Sequence, residues 1–158
     1  MVAARRGGAE HVDRPGRWVS VRFDDLAVGQ DLPSSSRTVT REDIRAYADA
    51  SGDQNPLHRD DEVARAAGFP RVVAHGMYTM ATLTSWLLDW LGDPAALLRL
   101  RVHFRAPVLV DESIECGGRV RSLDPQTRTA VLDVWVRVER DGAVEWPIRR
   151  SEAEVRPA

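Results

Sequence analysis

Asp53 and His58 lie five residues apart in Ser51-Gly-Asp-Gln-Asn-Pro-Leu-His58, a stretch otherwise rich in turn-forming residues. Imidazole is the side chain most easily poised to exchange a proton near neutral pH, and a carboxylate beside it can share the transfers. Gly52, Asn55 and Pro56 keep this stretch off a regular helix or strand, so the two groups are free to converge. Spacing alone leaves a plainer alternative open, with Asp53 as a turn residue ending a helix and His58 as a surface residue. Seventeen residues after His58 comes His75, in Ala74-His-Gly-Met77. Gly76 opens a helix there, where N–H groups are unpaired and the positive end of the helix dipole is exposed. A glycine at that point lets a ligand come close to the backbone, and a carbonyl oxygen gaining negative charge would be stabilised. Taken alone, Gly76 reads as readily as a glycine kept small for helix–sheet packing.

Other chemistries find little support. Asp53, His58 and His75 are types that can hold zinc, but the spacing of two His four apart found in metalloproteases is absent, and no metal or other cofactor is expected. Cys116 is the only cysteine, which excludes an intrachain disulfide and a thiolate zinc cluster. It has no base close in sequence and reads as a small strand residue. No Ser stands in a G-x-S-x-G context, and neither a P-loop nor G-x-G-x-x-G is present. The chain has no Lys, so a Schiff-base lysine is ruled out. His103 alternates with Arg101 and Arg105 and reads as solvated. Arg99, Arg101, Arg105, Arg119 and Arg121 can gather at one sheet edge, where they would meet phosphates or an acidic carrier protein; a solvated charged face is the default.

These groups need elements to position them. Thr40-Arg-Glu-Asp43 is a capping-box-like start, and Ile44, Tyr47, Ala48 and Ser51 recur on one helical face. Gly52 can take the left-handed conformation that ends this helix, and Asn55 is biased toward an extended backbone by Pro56. Asp60 or Asp61 caps a short helix over 62–67, stopped by Gly68. Val72-Val73-Ala74 is a short apolar approach to a long helix over 76–91. Met77, Met80, Ala81, Thr84, Leu87, Leu88 and Leu91 form its stripe, with Trp86 and Trp90 beside it. At about 1.5 Å per residue it would be about 24 Å long. Gly92-Asp-Pro94 ends it. From Leu100 the period becomes alternating. Strands are expected over 108–114 and 118–123, then over 130–138 after a turn at Asp124-Pro-Gln-Thr127. Asp141-Gly142 signals a hairpin to a last strand over 144–155, where Trp146-Pro147 implies an edge or a bulge. The pattern is α+β: an antiparallel sheet with one buried helix on its face.

The chain has 158 residues, 43% hydrophobic and 29% charged, the composition of one soluble domain. Residues 1–17 read as a disordered tail ahead of a single domain over 18–158. They lack the apolar core of a secretory leader, and the segment around Leu83–Leu91 is too short to span a bilayer. A net charge of −2 gives no drive toward nucleic acid. A cytoplasmic protein with neither nucleic-acid nor membrane partners is expected.

Tyr47-Ala-x-x-Ser51-Gly52-Asp53-x-Asn55-Pro56-x-His58, then Gly68-Phe69 and Ala74-His75-Gly76-Met77, resemble the hydratase motif of the MaoC-like family. The resemblance extends over roughly 21–155 and includes Asp-Leu-x-Val-Gly-Gln at 25–30 and the Gly92-Asp-Pro94 after the long helix. It implies a hot-dog fold, an antiparallel sheet wrapped around one central helix. It also implies paired hot dogs, as a homodimer or a heterodimer with another hot-dog subunit, with active sites near the interface. The implied reaction is reversible hydration and dehydration between (3R)-hydroxyacyl and trans-2-enoyl thioesters, carried on CoA or on an acyl carrier protein. By the same resemblance Asp53 and His58 are the catalytic pair and Gly76 the backbone oxyanion donor. Asn55 supports the loop or a water, while Ser51, Gly52, Pro56 and His75 complete the motif. Two alternatives stand beside this: a non-catalytic partner subunit, against which the intact Asp53 and His58 argue, and a dehydratase of an unusual substrate in specialised biosynthesis, suggested by the bulky tryptophans.

Overall fold

A computed structural model describes residues 20–158. The expected tail over 1–17, and Trp18 and Val19 after it, lie outside the described residues.

Strand β1 (Ser35–Thr38) leads into helix α1 (Arg41–Ser51), a short turn of 3-10 helix (Pro56–His58) and helix α2 (Asp61–Ala66). The long helix α3 (Gly76–Leu91) follows, and then strands β2 (Leu97–Arg101), β3 (Ser113–Asp124), β4 (Thr129–Arg140) and β5 (Ala143–Val155). The strands form one antiparallel sheet in the order β1-β3-β4-β5-β2. Local chemistry sets the helix ends. Thr40 and Asp43 form a reciprocal capping box, Asp60 caps α2, and Gly52 and Gly92 take positive φ (77° and 69°) to close α1 and α3.

β4 alternates strictly between buried and half-exposed residues. Its inward set, Ala130, Leu132, Val134, Val136 and Val138, packs with Leu83, Trp86, Leu87 and Leu91 of α3 in one core. Each fully buried Leu of this set removes enough apolar surface from water to contribute about 1.5–3 kcal/mol. The sheet curls around α3, which is the hot-dog arrangement. Trp86 anchors the helix to the loop before β1 through its indole N–H, which donates to the Pro33 carbonyl at 3.0 Å. Among the described residues no helix is long and apolar enough to cross a membrane.

Two strand expectations need correction. The strand expected over 108–114 is broken: 108–112 pass through a turn, where Asp111 has φ 67° and the buried Glu112 carboxylate accepts the Leu109 N–H at 2.8 Å, while Ser113 and Ile114 already belong to β3. β3 then runs unbroken from Ser113 to Asp124, through Gly117-Gly118. The two glycines stay in the strand because their neighbours occupy the space of a side chain. A Cβ on Gly118 would come within 2.7 Å of the Asp133 carbonyl oxygen and 3.1 Å of Leu32, and one on Gly117 would overlap the Trp135 ring. β5 is an interior strand, and Trp146-Pro147 falls at a register shift against β4, so the proline marks a bulge and not an edge.

Gly118→Ala should lower stability by about 1–3 kcal/mol, because the backbone it meets cannot turn aside. The effect is read as a drop in denaturant midpoint at unchanged slope. Gly117→Ala should cost less, since the half-exposed Trp135 ring can rotate away. A Gly118→Ala midpoint equal to the parent's would mean that β3 and β4 separate freely there.

Candidate active site

α1 delivers the site loop. Its buried face, Ile44 and Ala48, fixes the helix on the core, and the left-handed Gly52 turns the chain out at its end. A relay of side-chain to backbone bonds then shapes the loop. The Asp53 N–H donates to Ser51 Oγ at 3.2 Å, the Asn55 N–H to Asp53 Oδ1 at 3.2 Å, and the Leu57 N–H to Asn55 Oδ1 at 3.0 Å. Pro56 occupies the first position of the 3-10 turn, where its fixed φ and missing N–H are tolerated. Ser51, Gly52, Asn55 and Pro56 thus act on loop shape.

His58 ends that turn. Its Nδ1 lies 2.7 Å from the Val73 carbonyl oxygen, which can only accept. In the neutral ring the proton is therefore on Nδ1 and the lone pair on Nε2, and the ring lines a cleft. His75 is buried (2% exposed) and donates from Nε2 to the Asp53 backbone carbonyl at 3.0 Å. The same Nε2 is 4.0 Å from Asp53 Oδ2. The two imidazoles stack with centroids 3.8 Å apart and planes inclined by 29°. Tyr47 of α1 also packs on His75, with ring centroids 5.1 Å apart. His75 Nδ1 is buried with no protein hydrogen-bond partner.

One ligating atom from each of Asp53, His58 and His75 lies within 4.8 Å of the others. The carboxylate of Asp53 is half-exposed, so it faces solvent beside His58. Gly76, the first residue of α3, has an N–H with no acceptor inside the helix. Phe104 covers it: a Cβ built on Gly76 would touch the Phe104 ring at 3.6 Å. His58, Gly76, Thr79, Phe104, Arg105 and Pro147 are among the walls of an open cleft of about 380 Å³. A proton acceptor and a backbone donor at a helix N-terminus therefore line one cleft, and a carboxylate oxygen of Asp53 lies within 4.8 Å of a ring nitrogen of His58. That set can move a proton to or from a carbon next to a carbonyl whose oxygen rests at Gly76.

Other expected groups lie elsewhere. Cys116 is in the core on β3, where burial pushes its thiol up to about 12. His103 is exposed and donates from Nδ1 to the Arg150 carbonyl at 2.9 Å. Arg119 pairs with Asp31, Arg121 with Asp133 and Glu152, and Arg101 with Glu152, so of the five sheet-edge arginines only Arg105 reaches the cleft. Trp86 is buried and Trp90 half-buried, and neither lines the cleft. Nothing in residue type or spacing marks Val73, whose contribution is a backbone oxygen, or Phe104, brought over Gly76 from the segment after β2. The Ala-His-Gly triplet ahead of the long helix was the available signal for His75, which proves to be the stacking partner of His58.

Residues 25–139 match the family described as MaoC like domain. The chain is 32% identical over 111 residues to 3-hydroxybutyryl-CoA dehydratase of Methylorubrum extorquens, covering 70% of each chain. It is 29% identical over 134 residues to (R)-specific enoyl-CoA hydratase of Rhodospirillum rubrum, covering 80% of this chain and 92% of that one. A solved structure described as a MaoC-like dehydratase superposes with a TM-score of 0.80 at 34% identity, over 100% of this chain and 49% of that one. This chain thus spans about half the length of that protein. With the match running through the site loop, α3 and most of the sheet, the chain belongs to the MaoC-like family.

Proposed function

We propose that this chain is a hydro-lyase of acyl thioesters that interconverts (3R)-hydroxyacyl and trans-2-enoyl forms. The observation that carries this reading is the bond from His58 Nδ1 to the Val73 carbonyl, which leaves Nε2 as a proton acceptor within the cleft that Gly76 also lines. The hydratase and dehydratase relatives lend it support.

In the dehydration direction the thioester oxygen accepts from the Gly76 N–H, which acidifies the adjacent α-carbon. His58 Nε2 takes the α-proton as the C2–H bond breaks. Asp53 and His58 together pass that proton on to the 3-hydroxyl as the C3–O bond breaks, and water leaves. In hydration the same pair holds one water, whose oxygen bonds to C3 while a proton returns to C2 on the same face. No group is oxidised or reduced, so the reaction needs no redox cofactor. The enzyme acts as a pair of hot dogs, a second chain covering the exposed Phe104 of the cleft and the exposed Met77. The carrier is coenzyme A or an acyl carrier protein.

Asp53→Asn and His58→Ala should each lower turnover of crotonyl-CoA by about 10² to 10⁴, with melting temperature near the parent's. A His58→Ala variant of normal rate on every active thioester would sink the assignment. Gly76→Pro tests the backbone donor directly. Proline suits the first helical position, and His75 before it already has the extended ψ (135°) that proline requires. The variant removes one N–H and should lose about 10²-fold or more in rate. Gly76→Ala retains the N–H and should lose less; equal losses would make Gly76 a matter of space alone. Prolonged dialysis against a strong chelator should leave turnover intact. Loss of rate, restored by a divalent cation, would reassign Asp53, His58 and His75 as metal ligands.

A further inference from the structure

A second groove, of about 370 Å³, adjoins the catalytic cleft and shares Arg105 and Ala106 with it. Its remaining walls are Glu145, Trp146, Arg149 and Arg150. Two features separate these arginines from the rest. The first is charge. The sheet's other arginines are mostly compensated: Arg101 and Arg121 pair with Glu152, Arg119 with Asp31, Arg137 with Glu115, and Arg140 with Glu112 and Glu145. Among the described residues Arg105, Arg149 and Arg150 have no carboxylate within 4.0 Å. The only acid in the groove, Glu145, is held by Arg140 at 2.6 Å.

The second feature is backbone. The β4–β5 register shifts between the pairs Val134↔Ser151 and Val136↔Ile148, so Arg149 and Arg150 together face the single residue Trp135. This bulge re-aims both side chains away from the ladder. Arg150 has φ 56°, and its carbonyl accepts from His103 Nδ1, while Ser151 Oγ accepts the His103 N–H at 2.9 Å. The Arg149 guanidinium lies 5.0 Å above the Trp146 ring, which orients its planar fork. Uncompensated, partly oriented guanidiniums in a groove favour an anion with several oxygens.

We infer that this groove binds the phosphates of the substrate's carrier, the phosphopantetheine group that coenzyme A and acyl carrier proteins have in common. The identity of the ligand rests on the hydro-lyase reading, since a thioester at His58 and Gly76 must send its carrier arm out of the cleft. Ala106 and Arg105 form the shared wall along which that arm runs to Arg149 and Arg150.

The test uses the full chain and a double variant, Arg149→Gln with Arg150→Asn, asparagine being tolerant of the positive φ at 150. Should the double variant fail to fold, Arg149→Gln alone carries the test. Binding of free coenzyme A is measured calorimetrically, and hydration is followed with crotonyl-CoA, crotonyl-phosphopantetheine and crotonyl-pantetheine. Loss of two charged contacts should weaken coenzyme A binding and raise KM for crotonyl-CoA by about tenfold or more, with kcat little changed. Crotonyl-pantetheine, which has no phosphate, should show the same kinetics with parent and variant. An equal penalty on crotonyl-phosphopantetheine and crotonyl-CoA assigns the site to the phosphate both carriers share; a larger one on crotonyl-CoA assigns it to the nucleotide phosphates. Unchanged coenzyme A affinity and unchanged KM would overturn the inference. Weaker coenzyme A binding by the variant, with no hydration of any thioester by the parent, would overturn the hydro-lyase reading and leave the groove standing.

Discussion

Three residues, Val72-Val73-Ala74, hold the site to the fold. They are bonded on both sides. The Val73 N–H reaches the Leu57 carbonyl at 3.4 Å, and the Val73 carbonyl takes the His58 ring N–H at 2.7 Å. On the other side the Ala74 N–H donates to Val108 at 2.8 Å and the Val110 N–H to Val72 at 3.0 Å. The Val72 N–H donates to Asp61 Oδ1 at 2.9 Å, and Asp61 Oδ2 takes Arg41 of α1. That backbone bond, with Arg41 beside it, holds the Asp61 carboxyl below the usual carboxylate range. One short buried segment therefore ties α1, the His58 turn, α2 and the turn after Pro107 to the start of α3. His58 and Gly76, eighteen positions apart, cannot drift independently, which is the rigidity proton transfer at fixed geometry demands.

The turn opposite that segment is secured by charge. Glu112 is 5% exposed and accepts the Leu109 N–H, while Arg140 donates to both its carboxylate oxygens. A buried carboxylate so fully bonded is tolerated where an unpaired one would not be. Its effect is positional. The Arg140 guanidinium also donates to the Pro107 carbonyl and to Glu145, so Pro107 in the cleft wall and the second groove's one acid are fixed by the same cation. The cleft is thus walled in part by residues anchored behind it, with His58, the start of α3 and Arg105 as its polar groups.

Elements whose causes are local could be read from the sequence. Thr40 with Asp43, Gly52, Asp60, Gly92 and Asp141-Gly142 each act within a few residues of themselves, and each marks a boundary where it was expected. The α3 span follows from period and caps together. What escaped depends on distant neighbours. The pair Gly117-Gly118 looks like a break until Trp135 and the Asp133 carbonyl are placed against it from the next strand. The stretch over 108–112 reads as the start of a strand, but the chain turns at Asp111, and Arg140 from β4 holds the Glu112 carboxylate inward. The site divides in the same way. Asp53, His58 and Gly76 stand in a motif, whereas the orientation of the His58 ring depends on a backbone carbonyl fifteen residues away, and a carbonyl has no sequence signature.

The bulges of β5 connect the hot-dog curl to the surface around the cleft. A strand in the middle of a sheet that wraps a helix must bend, and bending concentrates where the ladder admits an extra residue. β5 does this twice within a few residues, at Trp146-Pro147 and at Arg149-Arg150. The first places Pro147 in the cleft wall and lets its carbonyl take the Arg105 N–H at 2.8 Å. The second turns two arginines outward at the point where β2 has ended and can no longer cover them. A regular β5 would keep alternate residues on the core face, and one of Arg149 and Arg150 would have to be buried there. The same irregularity that bends β5 therefore keeps both charges at the surface, beside the opening lined by His58 and the start of α3.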